Sequence, residues 1–82
     1  MFALSKFLPL VTQLGNYLKA GIDHYAALKA AGKEASVMII TAYLLGQMAS
    51  WHPKLGEKAL LDDETRAAAA RFLAGVVVNL GG

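Results

Sequence analysis

The side chains with the clearest capacity for chemistry are two histidines and a run of three acidic residues. His24 and His52 could serve as general bases or metal ligands, and the carboxylates of Asp62, Asp63 and Glu64 could bind a cation. A catalytic histidine needs a partner within hydrogen-bonding reach. No carboxylate lies three or four residues from His24, and neither His-Glu-x-x-His nor Glu-x-x-His spacing occurs in the chain. We therefore expect both histidines at helix surfaces or helix ends.

The acidic run has a simpler explanation than cation binding. Consecutive residues at the start of a helix point in different directions, so their carboxylates converge poorly on one ion. The same residues are well suited to cap a helix N-terminus. The chain also lacks cysteine, a glycine-rich phosphate loop and the Gly-x-Ser-x-Gly turn of a nucleophilic serine. We therefore predict that the protein is not an enzyme and has no catalytic residue, metal site or cofactor.

The composition is unusually apolar for so short a chain. Of its 82 residues, 56% are hydrophobic and 17% are charged, whereas soluble domains average about 45–50% and about 25%. A chain of this length buries only about 60–65% of the surface that it exposes when unfolded. Without cysteine the chain has no disulfide that could compensate for its small core. Oligomerisation is the other common way in which so small a protein gains stability. Copies of the chain, a partner protein or a membrane must cover the surplus apolar surface.

The net charge of +2 does not amount to a nucleic-acid-binding surface. The eight basic residues are spread along the chain, whereas nucleic-acid-binding modules usually concentrate them on one face. Nucleic acid is therefore the least favoured partner.

The spacing of apolar residues predicts an all-α protein. We expect one domain over residues 1–82, a small bundle with helices at about 9–31, 33–51 and 62–80, completed by oligomerisation. The first helix should begin near Pro9 and end at Gly32. Gly21 could divide it, which would give four helices. Its predicted buried stripe consists of Val11, Leu14, Leu18, Ile22, Tyr25 and Leu28.

The second predicted helix is apolar on most of its faces. Its polar line consists of Ser36, Tyr43, Gln47 and Ser50. Pro53 should end it at Trp51, because proline disfavours helical geometry in the residue before it. A helix of this kind is surrounded by protein or lipid. The connection at 52–61 contains proline and glycine and could form a helical turn at 57–60.

The third predicted helix begins at Asp62, the expected N-cap. Its predicted buried face consists of Ala69, Phe72 together with Leu73, Val76 and Leu80. Arg71 is followed by no charged residue up to Gly82, so the final turns offer more apolar side chains than one core can absorb.

Small residues recur at helical spacing on the second and third helices. They are Ala42, Gly46 and Ser50 on one, and Ala67, Ala70 and Ala74 on the other. Small side chains let two helix backbones approach closely, either within one chain or between subunits. Large aromatic residues at Tyr17, Tyr25, Tyr43 and Trp51 could likewise pack in the core or anchor an interface.

These patterns favour a non-enzymatic, self-assembling structural or adaptor protein whose main partner is another copy of itself. The candidate interface residues are Ala42, Gly46, Ser50, Trp51, Phe72, Val76, Val77, Val78 and Leu80. The first alternative is a membrane-active or membrane-associated helical protein, holin-like or pilin-like, in which residues 33–51 insert and Phe2, Leu4, Phe7 and Leu8 lie at the lipid interface. The second alternative is a basic helical nucleic-acid binder. We expect a cytoplasmic protein, or under the alternatives a membrane-associated protein or a component of an extracellular or viral assembly.

Overall fold

Helices dominate the structure, as the sequence predicts. The computed structural model describes residues 8–55 and 57–82, and the proposed lipid-interface residues Phe2, Leu4 and Phe7 lie outside this part. Its elements are α1 (Leu8–Ala30), α2 (Val37–Met48), β1 (Lys54–Leu55), β2 (Lys58–Ala59) and α3 (Asp63–Gly81). The predicted all-helical bundle of three long segments is therefore confirmed.

Helix α1 is continuous from Leu8 to Ala30. It runs through Gly21 without interruption, so the alternative of a broken first helix is wrong. Gly32 ends the helix in the left-handed conformation, with φ of +71°. The N–H of Lys33 donates to the carbonyl of Leu28 at 2.9 Å and the N–H of Gly32 to that of Lys29 at 3.1 Å. This pair of bonds satisfies carbonyls that the helix leaves unpaired, and the predicted stop at Gly32 is confirmed.

Helix α2 is shorter than predicted at both ends. Ser36 caps it, because its hydroxyl oxygen accepts a hydrogen bond from the N–H of Ile39 at 3.3 Å. The predicted start at residue 33 is therefore wrong, since a serine N-cap fixes the first helical residue at Val37. The helix ends at Met48, and the chain then turns so that the N–H of Trp51 donates to the Met48 carbonyl at 2.9 Å.

The connection from α2 to α3 contains a minimal antiparallel hairpin. Lys54 lies opposite Ala59 and Leu55 opposite Lys58. The N–H of Leu60 donates to the carbonyl of Pro53 at 2.8 Å, which draws the two ends of the hairpin together. The helical turn allowed at 57–60 is therefore wrong, because these backbone groups pair across the hairpin rather than along the chain.

Asp62 is the N-cap of α3, as predicted. Its carboxylate accepts a hydrogen bond from the N–H of Thr65 at 2.7 Å. Hydrogen bonding from Thr65 holds the pKa of Asp62 below its ordinary value of 3.8. Asp63 and Glu64 follow in the first turn, where negative charge is favourable beside the positive end of the helix dipole.

The core lies mainly between α2 and α3. Its buried hydrophobic residues are Ile40, Leu44 and Met48 from α2, Ala70, Leu73, Ala74 and Val77 from α3, and Tyr17 from α1. Helix α1 crosses this pair at Gly21, where a β-carbon would lie 3.0 Å from Val77 Cγ2 and 3.5 Å from both Leu44 methyl carbons. Glycine thus lets α1 approach this closely, and a side chain here would make Val77 shift by a few tenths of an ångström.

The buried face of α3 is rotated by about one residue from the predicted one. Leu73 of the predicted face is buried as expected, but Phe72 and Leu80 are exposed, and Val77 is buried in their place. Ala70 and Ala74 on the observed face are fully buried, and their small size allows a neighbouring helix to approach closely.

The predicted stripe of α1 is correct in part. Leu18, Tyr25 and Leu28 are half-buried and pack against the core. Val11, Leu14 and Ile22 are exposed instead, whereas Tyr17 and Gly21, outside the predicted stripe, are buried.

We predict opposite effects of leucine at two glycines of α1. Gly21→Leu should lower the free energy of unfolding by about 1–3 kcal/mol, because the added atoms meet Val77 and Leu44. Gly15→Leu is the matched control, since no described atom lies within 4 Å of its β-carbon position. It should raise stability by up to about 1 kcal/mol through helix propensity. Urea unfolding at one fixed protein concentration measures both, and equal effects would contradict the observed crossing.

A second prediction concerns the pH dependence of the Asp62 cap. The lowered pKa means that the cap stabilises the fold fully above about pH 4 and loses this effect as the pH falls through the folded-state pKa. Asp62→Ala should therefore be less stable than the wild type at pH 7, and the difference should shrink toward pH 2. Asp62→Asn is the control, because asparagine caps without titrating. A difference between wild type and Asp62→Ala that does not change with pH would contradict this role.

Candidate interaction surfaces

Arg66 is a buried charged residue at the base of α3. Only 7% of it is exposed. Its Nη1 donates to the Trp51 carbonyl at 2.8 Å and lies 3.0 Å from Nδ1 of His52, while Nη2 pairs with the Asp63 carboxylate. Because a guanidinium group has donors only, His52 Nδ1 accepts the hydrogen bond and its imidazole proton lies on Nε2.

These bonds give the Arg66 cluster a structural rather than a reactive role. The guanidinium ties the end of the α2 segment, at Trp51 and His52, to the first turns of α3. Within residues 8–55 and 57–82, every buried side-chain nitrogen or oxygen has a hydrogen-bond partner. The hydrogen bonds of the Arg66 guanidinium therefore hold the connection between α2 and α3 in place.

The second histidine joins two helices by stacking. The His24 ring of α1 lies parallel to the Tyr43 ring of α2, with centroids 3.9 Å apart and planes 7° apart. His24 is half-buried by this contact, so the prediction of a plain surface position is wrong. In the part of the chain that the structure describes, no group of three histidine or carboxylate side chains could hold a metal ion.

The aromatic residues contribute to packing within one chain. Tyr17 is buried and meets Trp51 edge to face, with ring centroids 5.2 Å apart and an interplanar angle of 61°. Tyr25 and Tyr43 are also packed against the core. Of the two alternatives for these residues, packing within the chain is the one that the contacts show.

Helix α2 carries a second apolar face that no part of the described chain covers. The helix has no charged residue between Val37 and Met48, and its buried line is formed by Ile40, Leu44 and Met48 alone. The opposite side exposes Met38, Ala42, Leu45 and Gly46, which we call the outer face of α2, and Val37 is exposed at the start of the helix. Met38 is the extreme case, with 81% of its surface accessible.

A groove runs along this face beside α3. It has a volume of about 460 Å³ and is lined by Val37, Met38, Thr41, Ala42, Leu45 and Arg71. The hydroxyl of Thr41 donates to the Val37 carbonyl at 2.7 Å, so its hydrogen is already used. The groove is therefore apolar, with one guanidinium group at its edge.

Helix α3 contributes a second apolar feature, which we call the α3 ridge. It consists of Phe72, Val76 and Leu80, which follow one another at four-residue steps. Phe72 is 71% exposed and Leu80 68% exposed, with Val76 half-buried between them. These residues belong both to the predicted buried face of the third helix and to the candidate interface residues.

The candidate interface residues fall into three groups. Ala42, Gly46, Ser50, Phe72 and Leu80 are exposed, Trp51, Val76 and Val78 are half-buried, and Val77 is buried. Val77 is only 1% exposed and belongs to the core of one chain, so its assignment to an interface is wrong. The cause is the close approach of α1, which covers it at Gly21.

Small residues act differently on the two helices. Ala70 and Ala74 of α3 are fully buried, so this line serves packing within the chain. Gly46 is exposed, and no described atom lies within 4 Å of its β-carbon position. Of the two alternatives for Gly46, a close contact within one chain is therefore wrong, and a contact between subunits stays a prediction.

The membrane alternative required a helix able to cross a bilayer. None of the helices in the described ranges is both long and apolar enough to do so. Helix α2, the proposed spanning segment, has 12 residues, whereas a spanning helix needs about 20.

We predict that Arg66 is far more important for stability than Arg71, which is on the same helix. Arg66→Ala should lower the free energy of unfolding by about 1–3 kcal/mol, because the Trp51 carbonyl loses its hydrogen-bond donor and α3 no longer holds the connection from α2. Arg71→Ala is the matched control at an exposed position and should cost less than about 0.5 kcal/mol. Urea unfolding at equal concentration compares the two variants. Equal losses of stability in the two variants would contradict the role of Arg66 in holding the connection between α2 and α3.

Comparison with known proteins adds no assignment to these surfaces. No family model, curated protein or solved structure matches this chain. Its function must therefore be argued from its own apolar surfaces.

Proposed function

We propose that this protein functions by self-assembly, as a small non-enzymatic structural or adaptor protein whose copies associate through helix packing. The outer face of α2 is the observation that carries this proposal. A helix in a two-layer fold normally has one apolar stripe and one polar side. Helix α2 has apolar residues on both sides, and only one side is covered.

The other helices support the same proposal. Helix α1 leaves Val11, Leu14 and Ile22 exposed, and α3 leaves Phe72 and Leu80 exposed. Single exposed apolar residues are ordinary, but contiguous apolar surfaces mark interaction sites. Each of the three helices has apolar residues that the chain itself does not bury.

We predict that the wild type is multimeric at low micromolar concentration and that Met38→Glu weakens the association at least about tenfold. The carboxylate would be buried without a partner in the contact. Because Met38 is 81% exposed, the substitution should leave the fold of one chain intact. Analytical ultracentrifugation measures the mass, and circular dichroism checks the fold.

Gln47→Glu is the control for this experiment. It introduces the same side chain on the same helix, at an exposed position that does not line the groove. It should leave the mass of the assembly unchanged. A wild type that stays monomeric at high micromolar concentration would refute self-assembly, and binding of such a monomer to lipid vesicles would support the membrane-associated alternative.

A further inference from the structure

We infer that His52 makes the connection between α2 and α3 sensitive to pH: the neutral imidazole binds Arg66, and the protonated imidazole leaves it. The contact lies within one chain, so this inference is independent of the proposed self-assembly. It gives the connection a second, looser arrangement in mild acid.

The contact between His52 and Arg66 requires a neutral imidazole. Nη1 of Arg66 lies 3.0 Å from Nδ1 of His52, which is within hydrogen-bonding distance. A guanidinium group has only donors and keeps its positive charge throughout the pH range of proteins, so Nδ1 must supply the lone pair. A proton on Nδ1 would set two N–H donors and two positive charges against each other.

The Arg66 side chain cannot turn away from a protonated ring. It is 9% exposed, its Nη1 also donates to the Trp51 carbonyl at 2.8 Å, and its Nη2 pairs with the Asp63 carboxylate. Breaking these bonds would leave a buried charge without partners, which is costly. The His52 ring is exposed and can pass into water. Protonation therefore moves the imidazole and leaves the guanidinium in place.

The charges on α3 and on the hairpin disfavour a positive charge at His52. The Arg66 guanidinium is buried and weakly screened, whereas the side chain of Asp63, its ion-pair partner, is 98% exposed and screened by water. The hairpin after His52 adds the positive charges of Lys54 and Lys58. Repulsion by Arg66 thus outweighs attraction by Asp63.

The other neighbours of the connection do not reverse this balance. The Asp62 carboxylate is exposed and accepts a hydrogen bond from the N–H of Thr65 at 2.7 Å. Helix α1 meets the connection through the uncharged Tyr17 ring, which contacts Trp51. Neither group offers a buried negative charge to a protonated His52.

Loss of the His52 contact affects the residues on both sides of it. The Trp51 ring meets Tyr17 of α1 edge to face, with centroids 5.2 Å apart. The carbonyl of Pro53 accepts the hydrogen bond from the N–H of Leu60 that draws the hairpin together. Of its two bonds to this segment, Arg66 then keeps the one to the Trp51 carbonyl. Mild acid therefore loosens the segment at which α1, α2 and the hairpin meet.

The effect falls in a pH range that histidine dominates. Histidine side chains change charge between about pH 8 and pH 5, whereas carboxyl groups do so near about pH 4. Hydrogen bonding from Thr65 holds the pKa of Asp62 lower still. Because the folded chain holds His52 in its neutral form, the unfolded chain binds more protons in this range, and stability falls as the pH falls.

The test compares the wild type with His52→Asn at pH 7.5 and pH 5.0. The amide oxygen of asparagine accepts a hydrogen bond near the position of Nδ1 and does not titrate. Between the two pH values the urea midpoint of the wild type should fall further than that of His52→Asn. His24→Gln is the control for the second histidine and should keep this greater fall. All samples have the same protein concentration.

Nitrogen NMR of the His52 ring in the wild type tests the contact without any substitution. At pH 7.5 the proton should lie on Nε2, and Nδ1 should be unprotonated. A proton on Nδ1 at this pH would refute the inference, even if His52→Asn fails to fold. Equal midpoint shifts in the wild type and His52→Asn would refute it as well, and so would loss of the greater fall in His24→Gln.

Discussion

The close approach of three helix backbones is the constraint on which the rest of this structure depends. Ala70 and Ala74 are fully buried on α3, and Gly21 lets α1 approach Val77 of α3 and Leu44 of α2. Helices that meet through small residues bury little side-chain volume at the contact itself, and the energy comes from the larger groups on either side. Here these groups are Ile40, Leu44, Met48, Leu73 and Val77.

This choice of contacts decides which residues remain outside. Other apolar residues of α1 and α3 then face outward, as Ile22 and Phe72 do. A chain of 82 residues has too little further structure to cover them. The exposed outer face of α2 and the α3 ridge are thus consequences of the same packing that forms the core. The proposed self-assembly would make use of both.

Polar interactions complete the fold where helix packing ends. Ser36 and Asp62 cap the starts of α2 and α3, and Gly32 ends α1. The Arg66 guanidinium holds the segment at Trp51 and His52 against α3. These interactions set where the helices begin and end and how the connection between α2 and α3 is held.

The sequence by itself determined the fold class and most of the helix boundaries. Apolar spacing predicted three helices, and local chemistry predicted the stop at Gly32 and the cap at Asp62, because such signals act over a few neighbouring residues. It also identified Phe72 and Leu80 as apolar residues in excess of one core, although it placed them on a buried face. Only the tertiary structure decided which side of each helix is buried, because α1 and α3 each have two apolar sides of similar hydrophobicity. The choice between these sides depends on how closely the backbones can approach at Gly21, Ala70 and Ala74, and this distance is a property of the packed helices rather than of any one segment. The Arg66 bonds and the groove beside Arg71 likewise depend on residues from two segments, so no local pattern could have revealed them.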